Sequence, residues 1–319
     1  MNETPYDGLT PDVILDSLDH FGWQTSGSLL ALNSYENRVY QLGLEDDSFV
    51  VVKFYRPNRW TTEQIMEEHD FVAGLIEHEI SCVGPISRDG ETLFEYETFR
   101  FSVFPRQGGH PPDIENEGNL KVLARTIARI HNVGEVQPFK HRITLSWETM
   151  ARDNVQFLLQ GNWIPLEMES AYESITRDLL TYLENMFTTK LNNLRIHGDC
   201  HLGNVLWRDP LPHFVDFDDT LMGPAIQDMW MLFSGSEDEQ ARQIGTISKA
   251  YDEFRPFPHN ELRFVEGLRT MRMIHHAAWI ARRWHDPAFP QAFPWFDSPK
   301  YWSDQVLSLR EQLALLAHS

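Results

Sequence analysis

The sequence predicts an α+β fold of two lobes, a small β-rich one followed by a larger helical one. Two periodicities and the break between them carry that prediction. Before Phe104, apolar runs are short, rich in β-branched and aromatic residues, and mostly alternate with polar ones; after Gly109, apolar residues return every three or four positions. The stretch Phe104-Pro105-Arg106-Gln107-Gly108-Gly109 interrupts both patterns with Pro and Gly. The expected division is an N-lobe over 1–104, a connector at 105–109 and a helical C-lobe over 110–319.

The elements follow in order. Thr10-Pro11-Asp12 supplies an N-cap, a first-turn proline and an acidic first turn; Ile14, Leu18 and Phe21 keep helical spacing, and Gly22 stops the helix. Ser28–Leu32, Val39–Leu42 and Phe49–Tyr55 read as strands of an antiparallel meander. Thr61-Thr62-Glu63-Gln64 fits a capping box, opening a helix with Ile65, Val72, Leu75 and Ile76 on its apolar face. Asp89-Gly90 marks a hairpin turn before the strand Phe99–Val103. Helices are then expected around Leu120–Ile130, Tyr172–Met186, Glu237–Phe254, Glu261–Trp284 and Gln305–Leu316. One compact island, Leu194 to Gly223, interrupts them with two or three short strands.

Composition narrows the class. Apolar residues make up 42% of 319, enough for a packed core. With 27 Lys and Arg against 47 Asp and Glu, the net charge of −20 repels polyanions, so neither nucleic acid nor an anionic membrane is an expected partner. Two cysteines, Cys82 and Cys200, make no disulfide framework. Met1-Asn2-Glu3-Thr4-Pro5 lacks the basic and apolar regions of a signal peptide, and no apolar run approaches the roughly 20 residues of a membrane span. A cytoplasmic protein is expected.

The island carries the chemistry. It reads His197-Gly198-Asp199-Cys200-His201-Leu202-Gly203-Asn204, then Phe214-Val215-Asp216-Phe217-Asp218-Asp219. Asp199 and Asn204 have the D-x-x-x-x-N spacing of a kinase catalytic loop, and Asp216, after an apolar strand and before Phe, stands where a metal-binding Asp follows that loop. Phosphoryl transfer asks for a carboxylate on the acceptor hydroxyl, Mg²⁺ on the phosphates and a fixed cation beside them. Asp199 suits the first task, and Asn204 and Asp216 offer the hard oxygen ligands Mg²⁺ prefers.

Lys53 adds an independent piece. It lies in Val50-Val51-Val52-Lys53-Phe54-Tyr55, matching the strand lysine that grips the α- and β-phosphates of ATP, and it needs an acidic partner on the next helix. Glu67 and Glu68 both qualify. Glu68, three residues after Ile65 and four before Val72, shares the apolar face and is the expected partner.

These motifs resemble the aminoglycoside phosphotransferase/choline-kinase-like superfamily, in which HGD replaces the HRD of ordinary protein kinases. Asn-Ser-Tyr-Glu-Asn-Arg-Val-Tyr at 33–40, Val-Val-Lys-Phe-Tyr-Arg-Pro at 51–57, the loop at 197–208 and Arg-Arg-Trp-His-Asp-Pro-Ala-Phe-Pro at 282–290 extend the similarity toward a bacterial stress-response branch. The resemblance implies a bilobal protein-kinase-like fold of aminoglycoside phosphotransferase type. It further implies a Mg²⁺- and ATP-dependent Ser/Thr protein kinase that autophosphorylates, with Asp199 as proton acceptor, Asn204 and Asp216 as metal ligands, and Ser34 as an ATP contact. A monomer is expected.

Departures from ordinary protein kinases are plain. No G-x-G-x-x-G precedes Lys53, so the turn 33–38 is expected to cradle phosphate. Asp218 stands where Gly would follow Phe, and Gly223-Pro224 arrives with no A-P-E segment. Without an activation segment, a small-molecule hydroxyl kinase is the first alternative; a nucleotide-binding pseudokinase and a metal hydrolase built on His197-x-Asp199-x-His201 are others. Asp218 and Asp219 are open between a second metal contact and substrate attraction. Arg269, Arg272, Arg282 and Arg283 are open between surface pairing and binding a phosphorylated partner. His197 is expected to brace the loop, Cys200 to be packed and inert, and Glu115 and Glu117 to be solvated loop charges.

Overall fold

The computed structural model describes residues 4–189 and 191–318; the extreme N-terminus read above for targeting, Met1 to Glu3, lies outside them. The chain divides into two compact units. One runs from the N-terminus to Arg142 and adds Arg195–Leu221 and Met231–Phe257; the other comprises Ile143–Leu194, Met222–Trp230 and the chain from Pro258 onward.

The first unit begins with α1 (Pro11–His20), capped by Thr10 as its sequence demands. Five antiparallel strands follow: β1 (Thr25–Ala31), β2 (Arg38–Leu44), β3 (Phe49–Phe54), β4 (Phe94–Tyr96) and β5 (Phe99–Pro105), in spatial order β1-β2-β3-β5-β4. Between β3 and β4 comes α2 (Thr62–Glu77), whose Thr61–Gln64 capping box is formed in both directions. Asp89 and Gly90, both with positive φ, join Arg88 to Glu91 in a tight bridge.

The period of two sorts the β3 side chains. Val50, Val52 and Phe54 enter a core shared with Ile14 and Leu18 of α1 and Phe99, Phe101 and Val103 of β5. Lys53 therefore points to the opposite face, paired in register with Ser102. That face receives α2 through Ile65, Glu68, Phe71, Val72 and Leu75, all buried. Ile76 departs from expectation: it is 48% exposed, because it lies in the last turn, off the stripe set by Glu68, Val72 and Leu75.

α3 (Glu117–Glu135) packs on α6 (Glu237–Tyr251) within this unit, and His131 and the Tyr251 hydroxyl share a 2.8 Å hydrogen bond. Glu117 is thus not a loop charge; it opens α3 and pairs with Lys121. The island supplies β6 (Leu194–Ile196), the hairpin β7 (Val205–Arg208) and β8 (Leu211–Phe214), and β9 (Leu221–Gly223). Bridges Cys82–Phe214 and His110–Trp207 fasten that hairpin to chain from the N-terminal half.

The second unit is helical. A π-turn at Glu148–Arg152 leads into α4 (Asp153–Gln160), followed by α5 (Leu166–Met186), α7 (Val265–Arg282), the short α8 (Ala288–Ala292) and α9 (Pro299–His318). Residues before Val265 that the sequence assigned to α7 form a 3-10 helix, His259–Phe264. Tyr172 of α5 meets Trp302 of α9 edge to face, and Phe289, Phe296 and Trp302 are fully buried in the core of this unit. Among the described residues no helix is long and apolar enough to cross a membrane.

Candidate active site

Every sequence-assigned site residue falls in the first unit. Lys53 is the hub. Its Nζ lies 3.4 Å from Glu68 Oε1, 3.6 Å from Asp216 Oδ1 and 3.4 Å from Asp218 Oδ1. Burial alone would lower its proton affinity, but Glu68 and Asp218 outweigh that and hold the ammonium well above its ordinary pKa. Lys53 is therefore a fixed positive charge. Glu68, not Glu67, is its helix partner, as the apolar stripe indicated.

The segment 197–204 is braced from within. Asn204 Nδ2 donates to the Asp199 carbonyl at 2.9 Å, and the Asn204 amide donates to the His201 carbonyl at 2.9 Å. His197 Nε2 donates to the Val215 carbonyl at 2.9 Å, linking the loop to the residue before Asp216. His201 Nδ1 accepts from the Gly203 amide at 2.9 Å, capping the 3-10 turn Leu202–Asn204, while its Nε2 stands 3.5 Å from Asp199 Oδ2. The Asp199 side chain remains 24% exposed. Gly198 has φ +85°, and a Cβ there would collide with the Asp219 carbonyl oxygen, so the Gly of HGD answers a backbone demand.

Asp216 adopts the left-handed region (φ 59°, ψ 62°) and keeps its side chain 55% exposed. Such a conformation is uncommon outside glycine and concentrates at functional sites. Phe217 is buried between His197 and Phe71 of α2. Asp218, which the sequence left open, is buried and paired with Lys53 and Arg59. Burial pushes its carboxyl up, yet Arg59, Lys53 and Arg142 together hold it well below the usual range. Asp219 also pairs with Arg59.

Two arginines that sequence reasoning missed are central. Arg59 joins Asp218 and Asp219 and lies 3.9 Å from Glu36. Arg142, its side chain fully buried, donates to Glu68 Oε2 at 2.9 Å and to the Asp218 carbonyl at 2.5 Å. Neither sits in a periodic segment, so only a search for cations matching the acidic island could have flagged them.

The turn 33–38 is tied down around Asn37. Ser34 Oγ donates to the Asn37 carbonyl at 3.1 Å, and Asn37 Oδ1 accepts from the Arg56 amide at 3.1 Å. Ser34 is thereby fixed within its own turn. Neither Cys82 nor Cys200 forms a disulfide; Cys200 is buried, and burial pushes the Cys82 thiol up to about 12. Of the late arginines, Arg269 pairs with Glu266 and Arg282 bonds Asn154 at 2.5 Å, both within the second unit.

Against known proteins, residues 28–267 match the phosphotransferase enzyme family. The chain belongs to that family. It is a phosphotransferase, an enzyme that binds ATP and phosphorylates a hydroxyl-bearing acceptor, chemistry that runs with a divalent cation on the phosphates. Among family relatives, "Stress response kinase A" of Escherichia coli K12 is 41% identical over 308 residues, covering 97% of this chain and 94% of that one. "Serine/threonine protein kinase RdoA" of Salmonella typhimurium LT2 is 39% identical over 315 residues, 99% and 96% of the two chains. Solved structures share the fold: an amicoumacin kinase (TM-score 0.74, 18% identity, 95% and 92% covered) and a microcompartment-associated aminopropanol kinase (TM-score 0.71, 17% identity, 97% of each). The α+β kinase-like fold expected from the sequence, with an N-terminal sheet and a mostly helical remainder, is the fold of this family.

Proposed function

We propose that this phosphotransferase is a Mg²⁺-dependent Ser/Thr protein kinase of the bacterial stress response, acting in the cytoplasm as a monomer. The observation that carries the acceptor class is near-full-length similarity to relatives bearing those names. The observation that carries the chemistry is the convergence of Lys53, from β3, on Asp216, from the island.

In this reading residues 1–104 act as the N-lobe, 105–109 as the connector and 110–319 as the C-lobe. Phe104, its ring 5.6 Å from Lys53 Nζ, offers an apolar wall for adenine. Ser34 and the turn around it receive phosphate, and Lys53 sets its charge against the α- and β-phosphates while Glu68 holds it in place. Asp199 accepts the proton of the acceptor hydroxyl as that oxygen bonds to the γ-phosphorus and the bond from that phosphorus to the β–γ bridging oxygen breaks, releasing ADP.

The residues present fit a magnesium ion. Glu36, Glu68, Asp199, Asp216, Asp218 and Asp219 outnumber Lys53, Arg56, Arg59 and Arg142, an excess of carboxylate that a divalent cation offsets. Asn204 commits its Nδ2 to Asp199, leaving Oδ1 for a cation, and the Asp216 carboxylate is solvent-accessible. Asn204 and Asp216 would hold Mg²⁺, which when bound spreads the negative charge of the phosphate oxygens.

A second reading, a small-molecule hydroxyl kinase, draws on one observation: the net charge of −20 favours a cationic acceptor such as an amino alcohol. The deciding experiment incubates the enzyme with γ-labelled ATP, a generic protein, amino alcohols and sugars, and maps the labelled atoms. Label on Ser or Thr of protein supports the proposal. Efficient transfer only to a small hydroxyl compound, at kcat/KM of about 10⁴ M⁻¹s⁻¹ or more, overturns it.

A further inference from the structure

Glu67, passed over as the partner of Lys53, has a different and unusually complete set of bonds. Its carboxylate accepts the backbone N–H groups of Lys140 (2.6 Å), His141 (2.9 Å) and Arg142 (2.9 Å). Burial pushes its carboxyl up, but these three donors outweigh it and keep the group ionised. One turn earlier, Gln64 Nε2 donates to the His141 carbonyl at 2.9 Å, and Arg142 Nε donates to the Gln64 carbonyl at 2.7 Å. The start of α2 and the segment 140–142 thus grip each other from both sides.

That grip aims one side chain. With its backbone held by Glu67, Arg142 runs inward over the Trp60 ring (4.4 Å) and ends on Glu68 Oε2 and the Asp218 carbonyl. Glu68 consequently has Arg142 on one oxygen and Lys53 on the other. In ordinary protein kinases the equivalent Lys–Glu pair depends on helix position, which an activation segment controls. Here Gly223-Pro224 follows Asp216 too soon for such a segment.

We propose that Glu67 and Arg142 are positioning residues that lock Glu68 onto Lys53, so that assembly of the site needs no phosphorylated activation segment. The inference rests on the reading of Lys53 and Glu68 as the nucleotide-holding pair. Two of the three Glu67 bonds, those from Lys140 and His141, are exposed, so in a variant water can satisfy those freed N–H groups, and only the part-buried Arg142 N–H loses a partner inside the fold. Arg142, by contrast, is buried, and its removal would leave Glu68 Oε2 without its ion-pair partner while Lys53 stays on Oε1.

The test is a double-mutant cycle on the full chain. Mg²⁺-ATP affinity by calorimetry, kcat and thermal midpoint are measured for wild type, Glu67→Ala, Glu67→Gln, Glu68→Gln and the Glu67→Ala/Glu68→Gln double variant. Glu67→Ala is expected to weaken Mg²⁺-ATP binding about tenfold, Glu67→Gln to lose less, and Glu67→Ala to cost under about twofold once Glu68 is already Gln. An equal loss in both backgrounds, or Mg²⁺-ATP affinity unchanged in Glu67→Ala, overturns the lock. A wild type that phosphorylates no acceptor would defeat the functional reading separately, while the coupling in Mg²⁺-ATP affinity still decides the lock.

Discussion

Lys53 Nζ and Asp216 Oδ1 stand 3.6 Å apart, one on a strand of the N-terminal sheet and the other after the β7–β8 hairpin. The contact joins the cation expected on the phosphates to a carboxylate expected on the metal, and it rests on alternation in β3 and a left-handed backbone at Asp216. Each partner supplies a separate prediction.

Lys53→Met removes the ammonium from among Glu68, Asp216 and Asp218. Arg59 and Arg142 remain, so the carboxylates are not all orphaned, yet mutual repulsion rises in a buried place. The variant is expected to lose on the order of 3 kcal/mol of stability in urea unfolding and most of its ATP affinity. Wild-type stability and affinity would contradict the hub assignment.

Asp216→Ala is expected to abolish the Mg²⁺-dependent part of the stabilisation given by ATP. A ligand that binds only the native state raises Tm only while its site exists. Thermal shift with ATP, with and without Mg²⁺, reads this directly. An undiminished Mg²⁺-dependent shift would place the metal elsewhere.

His69 predicts a pH dependence. Burial first, and then the nearby Lys53 and Arg142 charges, lower its pKa from 6.5 to about 3. Tyr55 and Thr92 hydroxyls at 2.9 and 2.8 Å suit a neutral ring that accepts on one nitrogen and donates from the other. The unfolded chain takes up a proton below about pH 6.5 and the native chain does not, so stability falls as pH drops toward 3. Between about pH 7 and about pH 5 the loss from this group is about 2 kcal/mol. Urea unfolding of wild type and His69→Gln should show a shallower acid slope in the variant; identical slopes would mean that His69 is protonated in the native chain.

Gly198→Ala is expected to be among the most damaging single-methyl changes. The residue sits at φ +85°, and the new methyl would meet the Asp219 carbonyl, which is backbone and cannot swing aside. Low expression or a Tm fall of about 10 °C or more is expected. A stable, active variant would show that the loop tolerates another path.

Much of this was legible because local pattern and tertiary role coincide. Period two in Val50–Tyr55 turned Lys53 away from the core residues Val50, Val52 and Phe54. Period 3.6 in α2 separated Glu68 from Glu67. What escaped was long-range and aperiodic. Arg59 and Arg142 lie outside helices and strands, and their partners are distant in sequence. The role of Glu67 escaped because its partners are main-chain N–H groups, which leave no side-chain signature. Ile76 misled for the opposite reason: an apolar residue in a helix need not be on its buried stripe.

The central claim is that Asp199 takes the acceptor proton and does little else for nucleotide binding. Asp199→Asn keeps the side chain's size and removes its capacity as a base. The decisive measurement is kcat and Mg²⁺-ATP affinity on the same preparation of this variant and of wild type. A fall in kcat of about 10²-fold or more, with Mg²⁺-ATP affinity within about threefold of wild type, is the predicted result. Turnover near that of wild type would contradict it.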